Sequence, residues 1–363
     1  MNEERKEQLN RVVIRGFKSI KECELDLNNI NVLIGANGSG KSNFISIFEM
    51  LRMILSRELA FYAGKKGGAG TLLYNGAKVT DSIVMEFYVG ENVYGFELEA
   101  TENDSLIFRE EHYESTSSLW GDGGHVESKL SDAKGDSLVG LMDTEDWLLD
   151  PHIVYQFHDT SSSSRIKREN IVANSVRLLS DARNLAAYLY RLKQSFPKEY
   201  SNILCAIQMV APFFDDFVLE PKELNEEQII LKWKKKGCDD VFNAAQFSDG
   251  TLRFICLATL LLQPTELQPA TIIIDEPELG LHPFAITILA EMVQKAAVNK
   301  QVILATQSAE LLDNFDVDDV IVVDSGENGS EFKRLDEKQL KLWLENDYTL
   351  GELWNKNIFG GRP

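Results

Sequence analysis

The sequence predicts an α/β fold with a mixed sheet, an antiparallel β subdomain and a helical lobe, and three observations carry that expectation. A short apolar run, Ile30 to Ile34, empties into the glycine-rich stretch GANGSGKS (35–42), after which Phe44, Ile45, Ile47, Phe48, Leu51 and Ile54 recur at helical spacing. Two more apolar runs, ATIIIDEP (270–277) and KQVILATQS (300–308), read as buried strands of a parallel sheet covered on both faces. SIVMEFYVG and VYGFELEA, joined through GENV, alternate apolar and polar residues as an antiparallel hairpin does.

In chain order, RVVIRGFKSIKECELDLNNINVLIG (11–35) alternates apolar and polar residues before closing on the strand at Ile30. With the glycine-rich loop and the hairpin it makes an amino-terminal half, residues 1–100. Residues 101–150, rich in Ser, Asp, Glu and Gly, read as a loop-heavy variable insertion. HIVYQF (152–157) reads as a strand, and polar HDTSSSSR follows it. From about 170 to 215 the pattern is helical: in ARNLAAYLYRLKQSF, Leu185, Tyr188, Leu189 and Leu192 share one face. These segments form a helical lobe over 151–246. A carboxyl-terminal half, 247–330, holds the apolar helix TLRFICLATLLL, the two buried strands and a last strand in DDVIVVDSG. Residues 331–363 remain as a mixed tail.

Composition narrows the function classes. The 363 residues are 44% hydrophobic, enough for a sizeable core, yet no apolar run reaches the length of a membrane span. The start, MNEERKEQLN, lacks a signal-peptide core. Cys23, Cys205, Cys238 and Cys256 are widely spaced, with no CxxC pair, and read as reduced thiols of a cytoplasmic protein. A net charge of −20 argues against gripping nucleic acid over the whole surface. Two local basic patches stand out, Lys232, Lys234, Lys235 and Lys236 in one and Arg165, Lys167 and Arg168 in the other, and each reads as a solvated strand face or loop.

Three constellations carry chemistry. Gly35, Gly40, Lys41 and Ser42 satisfy G-x-x-x-x-G-K-[ST]: the glycines turn backbone N–H groups of Asn37, Gly38, Ser39 and Gly40 toward phosphates, Lys41 reaches the β/γ oxygens, and Ser42 can ligate Mg²⁺. The apolar strand ATIIID ends at Asp275, placed to hold that magnesium, and Glu276 follows, suited to polarise an attacking water. In FSDGT, Ser248, Asp249 and Gly250 open a long apolar helix; they either present an anion site or form an ordinary helix cap.

The order of these motifs resembles the ABC-type ATPase heads of the RecF, SMC and OLD-like group, across essentially the whole chain from IRGFKSIKE to GELWNKNIFGGRP. FHDTS, NLAAYLYRL and GGRP resemble stand-alone bacterial ATPases and, more distantly, the ATPase subunit of PARIS-type antiphage systems, encoded beside a small Toprim-like protein. In such heads FSDGT would be the signature motif, IIIDEP the Walker B and ELGLHP the D-loop. The resemblance implies ATP and Mg²⁺ as ligands and a homo-oligomer, at least a dimer, in which Ser248, Asp249 and Gly250 of one copy complete the pocket of another. Gln156 would take the Q-loop place, as a catalytic residue and magnesium ligand, or serve simply as a polar strand end. Gln307 stands where many such heads carry a switch histidine; it can orient water but cannot titrate, which points to slow hydrolysis. Arg15 and Lys18 could approach the nucleotide or lie on a solvated edge, and His282 reads as a D-loop residue.

The chain shows no recognisable effector of its own. Asp316, Asp318 and Asp319 read as turn carboxylates, not as the aspartates of a Toprim nuclease, and no sustained heptads signal a long coiled coil. The expected function is therefore an ATPase that self-associates and controls a separate effector, such as a Toprim-like nuclease, in antiphage defence. The alternatives are a RecF-like ATPase that clamps DNA when ATP-bound, with the basic patches as contacts, and a scaffold glued by ATP with negligible hydrolysis. Nothing in the sequence suggests a membrane partner.

Overall fold

The amino-terminal alternation becomes two paired strands, β1 (Leu9–Phe17) and β2 (Ile20–Asp26), in the computed structural model, which describes residues 8–116, 119–132 and 152–361. The chain divides into two units: Met1–Val154 with Pro269–Ile273 and Gln301–Pro363, and Tyr155–Gln268 with Ile274–Lys300. In the first, β4 (Ser82–Val89), β5 (Asn92–Ala100), β6 (Leu106–Glu114) and β7 (Leu119–Asp122) extend the pair into an antiparallel sheet ordered β2-β1-β4-β5-β6-β7.

Part of the segment expected to be loops, 101–150, is thus sheet; its residues 117–118 and 133–150 lie outside the described residues. A register shift between Glu97 and Leu98 explains why the strand escaped a period-2 reading. Leu106 and Phe108 point inward, then the phase slips so that Glu111 and Tyr113 are buried instead. Glu111 tolerates burial because it accepts hydrogen bonds from the Tyr94 hydroxyl (2.7 Å), the Ser128 hydroxyl (2.5 Å) and the Lys129 N–H (2.9 Å).

A second sheet runs β18-β17-β3-β16-β15-β8, with β3 (Ile30–Ile34), β8 (Val154–Tyr155), β15 (Thr271–Asp275), β16 (Gln301–Thr306), β17 (Val320–Gly326) and β18 (Gly329–Arg334). β16 and β17 flank β3 in parallel register, Thr306 opposite Ile34 and Val320 opposite Val32. All six residues of β16 are buried, as the unbroken apolar run requires. Helix α1 (Lys41–Leu55) lays its apolar face into the same core. A chain of rings runs Phe44, Phe48, Phe87, Phe96, Phe108, with successive centroids 6.1, 6.5, 6.3 and 6.1 Å apart, so that α1 and the antiparallel sheet share one apolar interior. Two short helices follow it, α2 (Leu59–Lys66) and α3 (Ala69–Leu72).

The second unit carries two small antiparallel sheets and the helical lobe. β9 (Asn170–Ile171), β11 (Pro221–Lys222) and β12 (Asn225–Ile229) form one sheet; β10 (Phe214–Val218), β13 (Lys232–Lys235) and β14 (Val241–Asn243) form the other. Trp233 alone of β13 is buried, stacked on Phe247 at 4.5 Å, which leaves Lys232, Lys234 and Lys235 on exposed positions. The helices are α4 (Leu185–Ser195), α5 (Pro197–Val210), α6 (Asp249–Leu262) and α7 (Pro283–Ala297). Of HIVYQF only Val154–Tyr155 is strand.

The expected tail is structured. Gly329–Arg334 is the last strand, antiparallel to β17, and α8 (Ala309–Leu312), α9 (Glu337–Leu344) and α10 (Leu350–Asn355) complete the first unit. An edge strand reading GSEFKR, with only Ser330 fully buried, leaves no apolar period to find. Asp316, Asp318 and Asp319 lie at the turn Val317–Asp319 that feeds β17. Among the described residues no group of three or more His, Cys, Asp or Glu could hold a metal ion, and no helix is long and apolar enough to cross a membrane.

Burial, with Asp316 adding to it, pushes the Asp319 carboxyl up to about 6. The folded state therefore binds this proton more tightly than the unfolded chain. Stability contributed by the site rises as pH falls from about 6 toward the unfolded value near 4, and the ionised form is a cost at neutral pH. Asp319→Asn is expected to raise the melting temperature at pH 7.5 by about 2 °C, with the difference vanishing below about pH 4; scanning calorimetry across pH checks this.

Candidate nucleotide site

In the first unit, β3 delivers the chain into the glycine-rich loop. A Cβ on Gly35 would stand 2.3 Å from the Val323 carbonyl oxygen, so only glycine lets the strand pass there. Gly40 (φ +116°) takes a left-handed turn and is pressed on the Ser330 hydroxyl, 2.1 Å from where its Cβ would be. Behind it, Asn43 Nδ2 donates to Ser19 Oγ at 2.7 Å, and the Ser19 and Ser330 hydroxyls share a 2.7 Å hydrogen bond. The loop is thus held by a polar network as well as by its own turns.

Lys41 is 5% exposed, and its Nζ donates to the carbonyls of Gly35 (2.7 Å) and Ala36 (2.9 Å), which curls the side chain back over the loop. Ser39 Oγ is buried inside the same loop without a hydrogen-bond partner. Asn37 and Gly38 are exposed at the tip, and Ser42 is exposed on the first turn of α1. Gly40 caps α1 with no side-chain bond, and no acidic residue sits in the first turn, so the positive end of the helix is left uncompensated. A buried ammonium, an unmet hydroxyl and the uncompensated end of α1 lie together in this loop, which is the chemistry a phosphate chain requires.

Gln307 belongs to the same neighbourhood. Because Thr306 pairs with Ile34, Gln307 and Gly35 leave the sheet side by side. The Thr306 hydroxyl accepts the Ser308 N–H at 3.0 Å, and Ser308 Oγ accepts from Leu311 N at 3.1 Å to cap α8. Lys18, at φ +48°, donates Nζ to Ser46 Oγ (2.7 Å) on the flank of α1. Burial, with Lys66 adding to it against Glu49, lowers its ammonium to about 8. Arg15 lies on the exposed side of β1, paired with Glu22 at 3.3 Å.

The second unit assembles the carboxylates. Asp275 ends β15 at 6% exposure, and Gln156 Nε2 donates to its Oδ2 at 3.1 Å. His158 Nε2 lies 3.1 Å from the Asp275 carbonyl oxygen. Glu276 adopts φ +46°, a left-handed conformation that costs a non-glycine residue on the order of 1–2 kcal/mol and turns the backbone out of the strand. A recess lined by Phe157, His158, Arg253, Asp275, Glu276 and Pro277 opens there.

His158 and Arg253 were not singled out by sequence. Arg253 donates to the carbonyls of Phe157 (3.3 Å), His158 (3.0 Å) and Leu279 (2.8 Å), tying α6 to both flanking loops. The available signal was one arginine in the otherwise apolar TLRFICLATLLL.

Ser248 caps α6, its Oγ accepting from Thr251 N at 3.2 Å. Asp249 is exposed, with Lys167 Nζ 3.9 Å away. Gly250 has a packing reason of its own: a Cβ there would meet the Gly280 carbonyl oxygen at 2.4 Å. His282 caps α7, its Nδ1 accepting from Phe284 N at 3.3 Å. Ser248, Gly250 and the 276–282 loop therefore form one surface of the second unit.

Residues 30–313 match a family model described as "AAA domain, putative AbiEii toxin, Type IV TA system". A 51-residue stretch is 49% identical to structural maintenance of chromosomes protein 3 of Arabidopsis thaliana; it is 13% of this chain and only 4% of that relative. In fold the chain is similar to the SmcHead bound to the C-winged helix domain of ScpA, with a TM-score of 0.62 at 17% identity, covering 92% of this chain and 99% of that one. It is also similar to a Pyrococcus furiosus Smc head domain with an extended coiled coil bound to the C-terminal domain of ScpA, with a TM-score of 0.60 at 17% identity over 94% and 100% of the two chains. The mixed-sheet head architecture expected from the sequence is the one these structures share.

Proposed function

Since the chain belongs to this AAA-domain family, whose model spans residues 30–313, we propose that it is an ATP-binding and ATP-hydrolysing head of the RecF/SMC kind, two copies of which engage through ATP and close on nucleic acid. The observation that carries the reading is the 35–42 loop: left-handed Gly40, buried Lys41, unmet Ser39 hydroxyl and uncompensated α1 terminus within one turn of chain. Asn37, Gly38, Ser39, Gly40 and Lys41 bind the phosphates. Ser42 of the first unit, and separately Asp275 and Gln156 of the second, are oxygen donors of the hard kind that magnesium takes, and the ion, when bound, would neutralise phosphate charge. In the second unit Glu276 is suited to draw a proton from an attacking water, and in the first Gln307, beside the loop, is suited to orient one. Ser248, Asp249 and Gly250 present the α6 terminus to the γ-phosphate held by a second copy, which makes the nucleotide a cross-link that hydrolysis weakens.

A second reading, a sensor or scaffold that holds a separate effector such as a Toprim-like nuclease in antiphage defence, is favoured by the toxin named in the description of the family. Light-scattering mass of Glu276→Gln with and without Mg-ATP tests the shared core of both. The mass is expected to double with ATP, and Ser248→Arg is expected to prevent the doubling while leaving ATP affinity within about threefold. A monomer with ATP bound would overturn the engagement. Titrating duplex DNA into the same sample at several salt concentrations decides between the readings, because phosphate contacts give a steep salt slope.

A further inference from the structure

We propose that the carboxyl-terminal segment Leu350–Gly361 positions the phosphate loop, with Gly361 as the residue that braces Gly35. The inference rests on the phosphate-loop reading above and adds a carboxyl-terminal stretch to which that reading gives no role.

The segment is fastened at both ends of its run. At its start, Thr349 and Glu352 close a reciprocal cap on α10, and the Gly351 N–H donates to Asp313 Oδ1 at 2.5 Å. A Cβ on Gly351 would meet the Ala309 carbonyl oxygen at 2.5 Å, so α10 sits directly on α8, the helix that Ser308 begins. Leu353 and Trp354 fill the buried side of α10. At its end, Gly360 (φ +87°) and Gly361 (φ +81°) turn left-handed in succession, and the Gly361 N–H donates to Asp324 Oδ2 at 3.3 Å on β17.

That double turn brings backbone against backbone. A Cβ on Gly361 would lie 3.6 Å from Gly35 Cα, 3.3 Å from Trp354 Nε1 and 3.0 Å from Val322 Cγ1. Gly35 is therefore confined between the Val323 carbonyl on one side and Gly361 on the other. The Trp354 indole N–H is buried beside this contact with no hydrogen-bond partner, an unusual cost for a group serving only as packing.

The attachment points have a common geometry. α8 follows β16, Gly35 follows β3, and Asp324 lies on β17, three neighbouring strands running parallel. Ligands of α/β sheets meet the chain where such strands end. One segment thus ties together the backbone on which Gln307 and the phosphate loop depend. Two consecutive left-handed glycines lose much conformational freedom on folding, and close approach to Gly35 is what requires them here.

The test uses the full chain and a fluorescent ATP analogue with magnesium, with unfolding midpoints recorded without nucleotide. Gly361→Val is expected to weaken binding at least tenfold in a chain that still unfolds cooperatively without nucleotide, at a lowered midpoint, with Gly361→Ala falling between. Asp324→Ala adds no atoms and removes the acceptor for the Gly361 N–H, together with the Oδ1 that accepts from its own neighbour Ser325 N at 2.9 Å, and it is expected to weaken binding about threefold; it replaces the glycine variants as the readout if they do not fold. Wild-type affinity in a folded Gly361→Val, or in Asp324→Ala in its place, overturns the brace. Absence of binding by the wild-type chain would instead overturn the phosphate-loop reading itself.

Discussion

Replacing Lys41 with alanine is expected to weaken Mg-ATP binding by about 100- to 1,000-fold, the loss of roughly two charge-assisted hydrogen bonds. The ammonium is nearly buried and already aimed into the loop by the Gly35 and Ala36 carbonyls. A phosphate chain reaching the loop therefore meets a cation that needs little reorganisation. Alanine removes the charge and leaves the loop backbone free to relax around the two released carbonyls. Isothermal titration with ATP in magnesium buffer measures the effect. Micromolar affinity retained by Lys41→Ala would mean that nucleotide is held elsewhere, since no exposed lysine of the flank replaces Lys41: Lys18 is committed to Ser46.

Glu276→Gln separates binding from chemistry. ATP affinity is expected to change by less than about threefold, while turnover falls by about 100-fold or more, the range of a lost general base. The amide keeps the volume and the left-handed backbone of Glu276 but cannot take a proton from water. The neighbouring contacts, Gln156 to Asp275 Oδ2 and His158 to the Asp275 carbonyl, do not involve the Glu276 side chain and are expected to persist. Steady-state phosphate release, compared with single-turnover mixing, reads the step directly. Normal turnover would assign the water to another residue, and Gln307, which leaves β16 beside Gly35, is the first to replace in that case.

Legibility followed the range of the interactions. The loop of 35–42 is a local device: its glycines, its lysine and the strand and helix around it lie within a few residues, so composition and spacing reveal it. The buried strands Thr271–Asp275 and Gln301–Thr306 were equally plain, because strands covered on both faces need unbroken apolar runs. β6 was hidden by a bulge that shifts its phase, and β18 by a polar edge sequence.

The sequence by itself determined the head fold and marked residues 35–42 and the Asp275–Glu276 pair at the end of β15 as the candidates for a nucleotide site. Tertiary structure alone decided that Gln156 meets Asp275 across 119 residues, that Arg253 ties three carbonyls, and that Gly250 is small because Gly280 passes over it. It also decided that the closing glycines rest against Gly35. The physical reason is common to all of these. Hydrophobic periodicity and turn chemistry act between neighbours and leave a pattern in the chain, whereas a single hydrogen bond or a missing Cβ between distant segments leaves one residue of ordinary type, whose meaning appears only when its partner is beside it.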